Sequence, residues 1–315
     1  MTITNGRIIP PGTDNKELTP VPSRRPSGIG FGRWWWALPA VALTLVVTYM
    51  ATAFGAFFAF TDWTGLGDFN FVGFDNFIQV LQDPTLVGSV RNTLFLAAGF
   101  VVFTNILGLL FALALNRTLK TRFVLRALIF MPVVLSSVAV SFVWKFIFAF
   151  DGPLNQFLEA VGLGNLKQDW LANPSLALWC ILAVMVWQSI GFVMVIYLAG
   201  LATVPMELEE AAALDGAGMW RIFRSIVLPT IQPSVAIATV LTLIQGLSVF
   251  DQVLTLTGGG PADATQTLAS QVYSQTFVYG AFGLGAAAAL ILTVFILILA
   301  LIQQFIVRDR ANNGD

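Results

Sequence analysis

The sequence of 315 residues contains no histidine and only one cysteine, and 10% of its residues are charged. The absence of histidine excludes imidazole acid–base catalysis, histidine metal ligands and histidine pH switches. The single cysteine, Cys180, excludes a disulfide bond within the chain. A soluble domain usually carries about 25% charged residues, so this chain has too few to cover a surface that faces water. Its net charge of −1 gives no bulk electrostatic basis for binding nucleic acid.

Several catalytic motifs are also absent from the sequence. No Gly-Lys pair occurs, which excludes the phosphate-binding loop of common ATPases. There is no Gly-x-Ser-x-Gly nucleophile motif and no cluster of metal-ligand residues. The chain is therefore expected to have no catalytic residues, no metal site and no ATPase site.

Long apolar runs dominate the rest of the sequence. Hydrophobic residues make up 57% of the chain and its mean hydropathy is +0.81, and the class that fits this composition is a polytopic membrane protein. A helix that spans a bilayer needs about 20 apolar residues. Six stretches meet or approach this length and predict an all-α fold with six transmembrane helices, at 34–60, 92–115, 124–150, 176–201, 232–250 and 282–306.

The distribution of lysine and arginine predicts the orientation of these helices. Thirteen of the sixteen basic residues fall in the two terminal segments and in the loops at 116–126 and 202–231. The three loops on the opposite side contain only Lys167, with Arg91 and Lys145 near helix ends. Because basic residues accumulate on the cytoplasmic side of membranes, both termini are predicted to be cytoplasmic.

The remaining segments divide the chain into three parts. Residues 1–33 are polar and rich in proline and glycine, which is typical of a disordered tail, here cytoplasmic. The transmembrane domain is expected to cover 34–308, and 309–315 to form a second cytoplasmic tail. Within the domain, the turn-rich segment 61–91 predicts an ordered outer loop with a short amphipathic helix at 74–82.

The apolar runs contain almost no ionisable groups, and Lys145 is the clearest exception. Proton-coupled carriers usually place carboxylates or histidines at mid-membrane, because a side chain must carry the proton. This pattern argues against proton coupling. It leaves open sodium coupling through carbonyl and hydroxyl oxygens.

The most specific motif lies in the predicted inner loop at about 203–230, which contains the sequence EAAALDGAGMWRIFRSIVLP. Pro205 suits the start of a helix, and the acidic residues that follow it favour the helix dipole in the first turn. Gly216 and Gly218 can end this helix or bend it sharply. The loop is expected to form a short helix, a turn and a second helix that ends at Leu228-Pro229.

The order and spacing of this motif resemble the EAA loop of ABC-importer permeases. Glu-Ala-Ala is followed by a glycine, an isoleucine and Leu-Pro at the spacing of that family, in the inner loop between the fourth and fifth predicted helices. The segments NFIQVLQDP and LTGGGPADATQTLASQVYSQTF resemble its carbohydrate-type branch, which includes importers of maltose, other oligosaccharides and glycerol phosphate. The resemblance covers about residues 35–308 and implies the type I importer permease fold.

This resemblance implies a protein that works only within an assembly in the bacterial cytoplasmic membrane. The implied partners are a second permease subunit (a different chain, or a copy of this one), two ATPase subunits that bind ATP and Mg²⁺, and an extracytoplasmic solute-binding protein. The chain itself is expected to be a non-enzymatic subunit without a cofactor. It would lie in the lipid bilayer, form part of the path for a sugar or polyol, and bind no nucleic acid.

Two sets of contact residues follow from the resemblance. The residues expected to form the ATPase contact, or to support the residues that form it, are Glu209, Glu210, Ala211, Ala212, Gly216, Ile226, Leu228 and Pro229. Because two glutamates are adjacent here, it stays open whether Glu209 or Glu210 meets the ATPase. The residues expected to contact the binding protein, unless they form an ordinary outer turn, are Gly258, Gly259, Gly260 and Pro261.

A third set consists of polar or large aromatic residues within the apolar runs. Sugars are held by amide and carboxylate groups and by aromatic faces, so these residues are candidate ligands along the substrate path. Hydrogen bonds between helices explain the polar ones equally well. The set comprises Asn105, Trp144, Trp187, Gln188, Gln245 and Asp251.

Two other functions remain open from the sequence. One is an ABC permease for a different solute, such as a peptide or an amino acid. The other is an ion-coupled secondary carrier, which only the layout of six helices favours. Neither the sugar nor the identity of the second permease is determined by the sequence.

Overall fold

The computed structural model describes residues 37–116 and 120–312, with residues 304–312 described by their backbone only. The predicted tail at 1–33 lies outside the described residues. The chain divides into two units, Met1–Ala53 and Phe54–Asp315. The described part of the first unit is helical throughout and its side chains are exposed, which suits an apolar segment surrounded by lipid. Its elements are α1 (Leu38–Thr44), a π-helical stretch (Leu45–Met50) and the start of α2 (Ala51–Phe58).

In the described part of the second unit, regular structure is helical apart from one β-bridge between Thr61 and Phe71. The predicted all-α class is therefore confirmed for the described residues. The helices are α3 (Asp75–Gln82), α4 (Pro84–Leu115), α5 (Arg122–Val134), α6 (Ser137–Ile147), α7 (Pro153–Ala160), α8 (Pro174–Leu201), α9 (Met206–Leu214), α10 (Met219–Ile222), α11 (Leu228–Thr230), α12 (Gln232–Leu247), α13 (Asp251–Leu256), α14 (Leu268–Tyr273) and α15 (Phe282–Asn312).

In the part of the chain that the structure describes, four helices are long and apolar enough to cross a membrane, and two bent pairs bring the number to as many as six. The straight candidates are Leu38–Phe58, Pro84–Leu115, Pro174–Leu201 and Phe282–Gln303. The first bent pair joins α5 to α6 at 99°, and the second joins Met219–Thr230 to α12 at 71°. The third predicted span, 124–150, is therefore not one straight helix.

Proline and extended backbone account for the bend between α5 and α6. Pro132 lies inside α5 and lacks the N–H that would continue the helical hydrogen bonds. Leu135 and Ser136 then adopt extended conformations, with ψ angles of 143° and 135°. The helical pattern restarts at Ser137 in a new direction. The hydropathy of this region gave no sign of the break, because the residues before and after it are equally apolar.

Two helices extend beyond the apolar runs predicted as spans. The second span was predicted to begin at residue 92, but α4 begins at Pro84 because Asp83 caps it: the Asp83 carboxylate accepts a hydrogen bond from the Thr85 backbone N–H at 2.8 Å. At the other end of the chain, α15 continues to Asn312, so part of the predicted tail at 309–315 is helical.

The segment between α2 and α4 is an ordered loop that contains α3, at the position predicted for a short helix. Asn70 donates two hydrogen bonds to the Asp62 carboxylate, from its backbone N–H at 2.6 Å and from its side chain at 3.1 Å. These bonds, the backbone bond first, hold the pKa of the Asp62 carboxyl below its ordinary value. The loop is thus closed by local polar contacts and by packed rings such as those of Phe60 and Phe71, whose centroids lie 6.3 Å apart.

Helix α8 lies at the centre of the second unit. Of its most apolar stretch, 61% is buried, compared with 28% or less for the other straight candidates. Close approach of its neighbours requires small residues. A side chain at Gly191 would collide with the Ile129 carbonyl oxygen and approach the Phe130 Cα atom to 2.6 Å, so α5 lies directly against α8 at this point.

Candidate functional site

A cavity of about 160 Å³ lies beside α8, where the bent helices leave the regular pattern. Its wall is mixed in character, because hydroxyl, amide and carboxylate groups alternate with rings and aliphatic side chains. The polar lining residues are Ser137, Ser189, Gln245, Ser248, Asp251 and Gln252, and the apolar ones are Phe100, Met185, Val249 and Phe250.

Both edges of this cavity are interruptions of helices. α6 begins at Ser137 after the break that follows α5, and α13 begins at Asp251 after α12 ends at Leu247. Such interruptions free backbone groups, which are tolerated at membrane depth only where protein or water satisfies them. In membrane transporters, interrupted helices commonly form the substrate site for this reason.

Gln188 satisfies one of the freed backbone groups. Its Nε2 donates to the Leu135 carbonyl oxygen at 3.0 Å, and its Oε1 accepts a hydrogen bond from Gln252 Nε2 at 3.2 Å. Gln188 is 7% exposed, so water does not compete freely for these partners. Because Gln252 lines the cavity, Gln188 connects the break after α5 with the α13 side of the cavity.

Replacing Gln188 by leucine is expected to destabilise the protein, because Leu135 and Gln252 would each lose a partner. A buried polar group left without a partner costs about 1–3 kcal/mol. The midpoint of thermal unfolding in detergent should therefore fall by several degrees. The matched control is Gln79→Leu, at an exposed position on α3, which should leave the midpoint almost unchanged. Equal midpoints for the two variants would contradict this role of Gln188.

The six residues predicted for the substrate path separate into three groups. Gln245 and Asp251 line the cavity. Gln188 lies behind its wall and reaches it through Gln252. The other three do not line it: Asn105, Trp144 and Trp187.

The contacts of these three residues are internal ones. The Asn105 side chain accepts a hydrogen bond from Tyr197 at 2.7 Å and donates to Thr242 at 2.9 Å, which joins α4, α8 and α12. Trp144 and Trp187 pack edge to face, with ring centroids 5.5 Å apart. Asn105 thus forms hydrogen bonds between helices, which was the alternative to a role in the substrate path.

Sequence reasoning missed several lining residues. Ser137, Ser189 and Ser248 are common residues in apolar helices, where a hydroxyl often bonds to its own backbone. One signal was present: Ser248 and Gln252 flank Asp251 at the end of the shortest apolar run. Among the described residues, no group of three or more His, Cys, Asp or Glu side chains could hold a metal ion.

A second candidate surface is the helical loop between α8 and α12. Pro205 precedes α9 as its N-cap residue, and Gly216 ends the helix with a φ angle of +81°. The sequence predicted this helix, which is confirmed, and left open whether Gly216 and Gly218 end it or bend it; the helix ends at Gly216. The second predicted helix begins at Met219 as expected but continues to Thr230 beyond Leu228-Pro229. A π-helical stretch just before Pro229 loosens the backbone pattern that a proline would otherwise interrupt.

The two faces of α9 differ in exposure. Glu209 and Ala212 are half-buried, and Ala212 lines a cleft of about 210 Å³ together with Ile222 and Ile226 from the next helical segment. The other α9 side chains are exposed, and Leu214 reaches 90% exposure. Positions three or four apart share a helix face, so the outward face carries Glu207, Glu210, Ala211 and Leu214.

The other residues predicted to take part in the ATPase contact lie on the helical segment that follows α9. Ile226 is half-buried in the cleft, whereas Leu228 and Pro229 are exposed on the helix that leads towards α12. Large apolar side chains of the same loop are also exposed, with Met219 at 78% and Trp220 at 72% exposure. Exposed apolar side chains bordered by polar ones are typical of a docking surface.

The Gly-Gly-Gly-Pro turn follows α13 and is tightly held. Gly258 and Gly259 have positive φ angles of +63° and +90°, and a side chain at Gly259 would collide with the Gln266 amide. Thr265 donates to the Gly260 carbonyl at 2.7 Å. Glycine at 259 is thus favoured by its positive φ angle and by the close Gln266 side chain. Gly258 is exposed, and Gly260 and Pro261 are half-buried.

Comparison with known proteins gives a consistent result. Residues 104–312 match the model of a family described as the binding-protein-dependent transport system inner membrane component. The multiple sugar-binding transport system permease of Streptococcus mutans is 36% identical over 86% of this chain and 93% of that protein. The trehalose/maltose transport system permease of Thermococcus litoralis is 33% identical over 79% of this chain and 84% of that protein.

A solved structure shares the fold. It is the crystal structure of a bacterial ABC transporter involved in the import of the acidic polysaccharide alginate, with a TM-score of 0.77 and 23% identity over 88% of this chain and 94% of that chain. The family match covers more than half of the sequence and agrees with the broken helices and the helical loop. The chain therefore belongs to the family of inner membrane components of binding-protein-dependent transport systems, the permeases of ABC importers.

Proposed function

We propose that this chain is the membrane-spanning permease subunit of a saccharide importer that is driven by separate ATPase subunits. The family supports the transport role, and the relatives from Streptococcus mutans and Thermococcus litoralis, which carry sugar-transport names, support the substrate class. The observation that carries the proposal is the cavity at the helix breaks. Its hydroxyl, amide and carboxylate groups, together with the Phe250 ring, are the chemistry that binds a polyhydroxylated ligand.

The proposed topology has six membrane spans with both termini in the cytoplasm. It counts each bent pair as one span, and the bias of lysine and arginine supports the orientation. The loop that carries α9 and α10 then lies on the cytoplasmic side. The Gly-Gly-Gly-Pro turn lies on the opposite side, within reach of a solute-binding protein.

In this proposal α9 is the contact to an ATPase subunit. Its outward face, with Glu210 at the acidic position and Ala211 beside it, is the surface offered to the partner. The half-burial of Glu209 and Ala212 supports Glu210 as the acid that meets the ATPase. Ile226, Leu228 and Pro229 link this helix to α12 and so to the cavity.

A complete importer of this kind contains a second permease, two ATPase subunits that hold ATP and Mg²⁺, and a binding protein. ATP binding brings the ATPase subunits together, the two loops move with them, and the permeases change from inward-open to outward-open. ATP hydrolysis resets the inward state. The loop must favour one of the two states by a free-energy difference, because a contact of equal strength in both states shifts no equilibrium. This chain carries out no covalent step.

The test is reconstitution in liposomes. The chain with its partner subunits and binding protein should accumulate a radiolabelled saccharide only when ATP is supplied to the ATPase side. Uptake by the chain alone under an imposed ion gradient would instead establish a secondary carrier. Uptake of peptides or amino acids, with no saccharide bound by the binding protein, would establish an importer for another solute.

A further inference from the structure

Charge is distributed unevenly around the cavity beside α8. Among the described residues that line it, Asp251 is the one with an ionisable side chain, and none is lysine or arginine. The remaining polar groups, including Ser137, Ser189 and Gln245, are neutral hydroxyls and amides. A ligand in this cavity therefore faces one negative charge and no positive charge from the described lining.

The Asp251 carboxylate has no partner among the described side chains. It makes no hydrogen bond and no ion pair there; the ion pair present in the described part of the chain joins Lys167 to Glu159 in another loop. Lys145, the basic residue that contacts α13, donates to the Thr255 carbonyl oxygen at 3.3 Å instead. The Asp251 side chain is exposed, so it is free to interact with a ligand.

A carboxylate without a partner, at the wall of a cavity, favours or disfavours the binding of a ligand according to the ligand's charge. Sugar hydroxyls and ammonium groups donate hydrogen bonds to it, and bonds to an ionised acceptor are the stronger kind. A second carboxylate about 6 Å away, in surroundings with an effective dielectric constant near 20, is disfavoured by on the order of 100-fold. Because the Asp251 side chain is exposed, water and salt screen part of this repulsion, and an effect of about 10-fold is expected in the importer.

We infer that this cavity accepts neutral and amino saccharides and rejects uronates and other anionic saccharides, with Asp251 as the residue that sets this selectivity. The inference rests on the proposed saccharide function and adds the substrate's charge class to it. Asp251 also lies in the first turn of α13, where an acidic residue favours the helix dipole.

The experiment uses the intact importer in lipid nanodiscs, without the binding protein, so that only the selectivity of the membrane part is measured. The probes are maltotriose, cellotriose and mannotriose, each paired with its own 6-carboxylate derivative. The two members of a pair share rings and linkages and differ in charge. Isothermal titration calorimetry at neutral pH gives the ratio of the dissociation constants within each pair.

In the natural importer, a neutral trisaccharide is expected to bind about 10-fold more tightly than its carboxylate form. Asp251→Asn should reduce this ratio to within about threefold, because it keeps the shape and removes the charge. Gln245→Lys, on the same wall, should move the ratio in the same direction independently of Asp251. Asp75→Asn, which removes an exposed carboxylate on α3, should leave the ratio unchanged.

Equal binding of both members of a pair to the natural importer would overturn the inference while leaving the saccharide function in place. A ratio that persists in Asp251→Asn would also overturn it, because another group would then set the selectivity. If no probe binds and the importer reconstituted with its binding protein takes up peptides or amino acids but no saccharide, the proposed saccharide function is overturned, and the inference with it.

Discussion

An importer that carries Glu210→Lys is expected to lose at least 90% of its ATP-driven uptake and of its substrate-stimulated ATP hydrolysis. Glu210 lies on the outward face of α9, between exposed apolar side chains, where a partner would cover it. Reversing a charge within a covered contact costs about 2–5 kcal/mol, which is more than enough to separate two subunits that associate at micromolar concentration. Co-purification with the ATPase subunits should be weakened in parallel.

Glu209→Lys is the matched comparison, because it makes the same change one position earlier on the half-buried face of the same helix. It is expected to cause a clearly smaller loss. Asp169→Lys, at an exposed position in the loop between α7 and α8, should have no effect. If Glu209→Lys were the more damaging variant, the outward face of α9 would not be the contact. If neither variant changed ATP hydrolysis, the loop would not couple to an ATPase.

The second large effect is expected from Gly191→Ala. The added methyl group would meet the Ile129 carbonyl oxygen and the Phe130 Cα atom, and these backbone atoms cannot rotate away as a side chain would. Overpacking of this kind costs about 1–3 kcal/mol and should lower the midpoint of thermal unfolding by about 2–5 °C in a chain of this length. Size-exclusion chromatography after heating in detergent measures the midpoint.

Gly88→Ala provides a control with the opposite expected sign. Gly88 also lies within a helix, α4, but an added methyl group there meets no atom within 4 Å. Alanine is favoured over glycine in helices by about 1 kcal/mol, so this variant should unfold at the same temperature or slightly higher. If the unfolding midpoint fell equally in both variants, the close contact of Gly191 with α5 would not be the cause of the destabilisation.

Local signals in the sequence predicted several elements correctly. Helix α9 followed from Pro205, the acidic first turn and Gly216, because helix starts and ends depend on residues close to the backbone groups that they satisfy. Helix α3 followed from its local pattern as well. The start of α4 at Pro84 was missed, although Asp83 and Pro84 together are a helix-start signal, because the prediction followed hydropathy alone.

The candidate cavity could be predicted only in part. Gln245 and Asp251 were identified because polar residues are costly in apolar helices, so each needs a reason. Ser137 and Ser189 lie far from these two residues in sequence and join them only after the helices have packed. The same holds for Gln188, whose contact with Leu135 depends on the break after α5.

The sequence by itself determined the class of this protein, its family and the helix that carries the acidic motif, since hydropathy, charge bias and short-range spacing are properties of adjacent residues. The tertiary structure decided the rest: the bends of 99° and 71°, the pairing of α5 with α8 at Gly191, and the cavity with its single free carboxylate. The physical reason is that membrane helices, all nearly equally apolar, find their neighbours through shape and a few hydrogen bonds. Those contacts join residues that are distant in sequence.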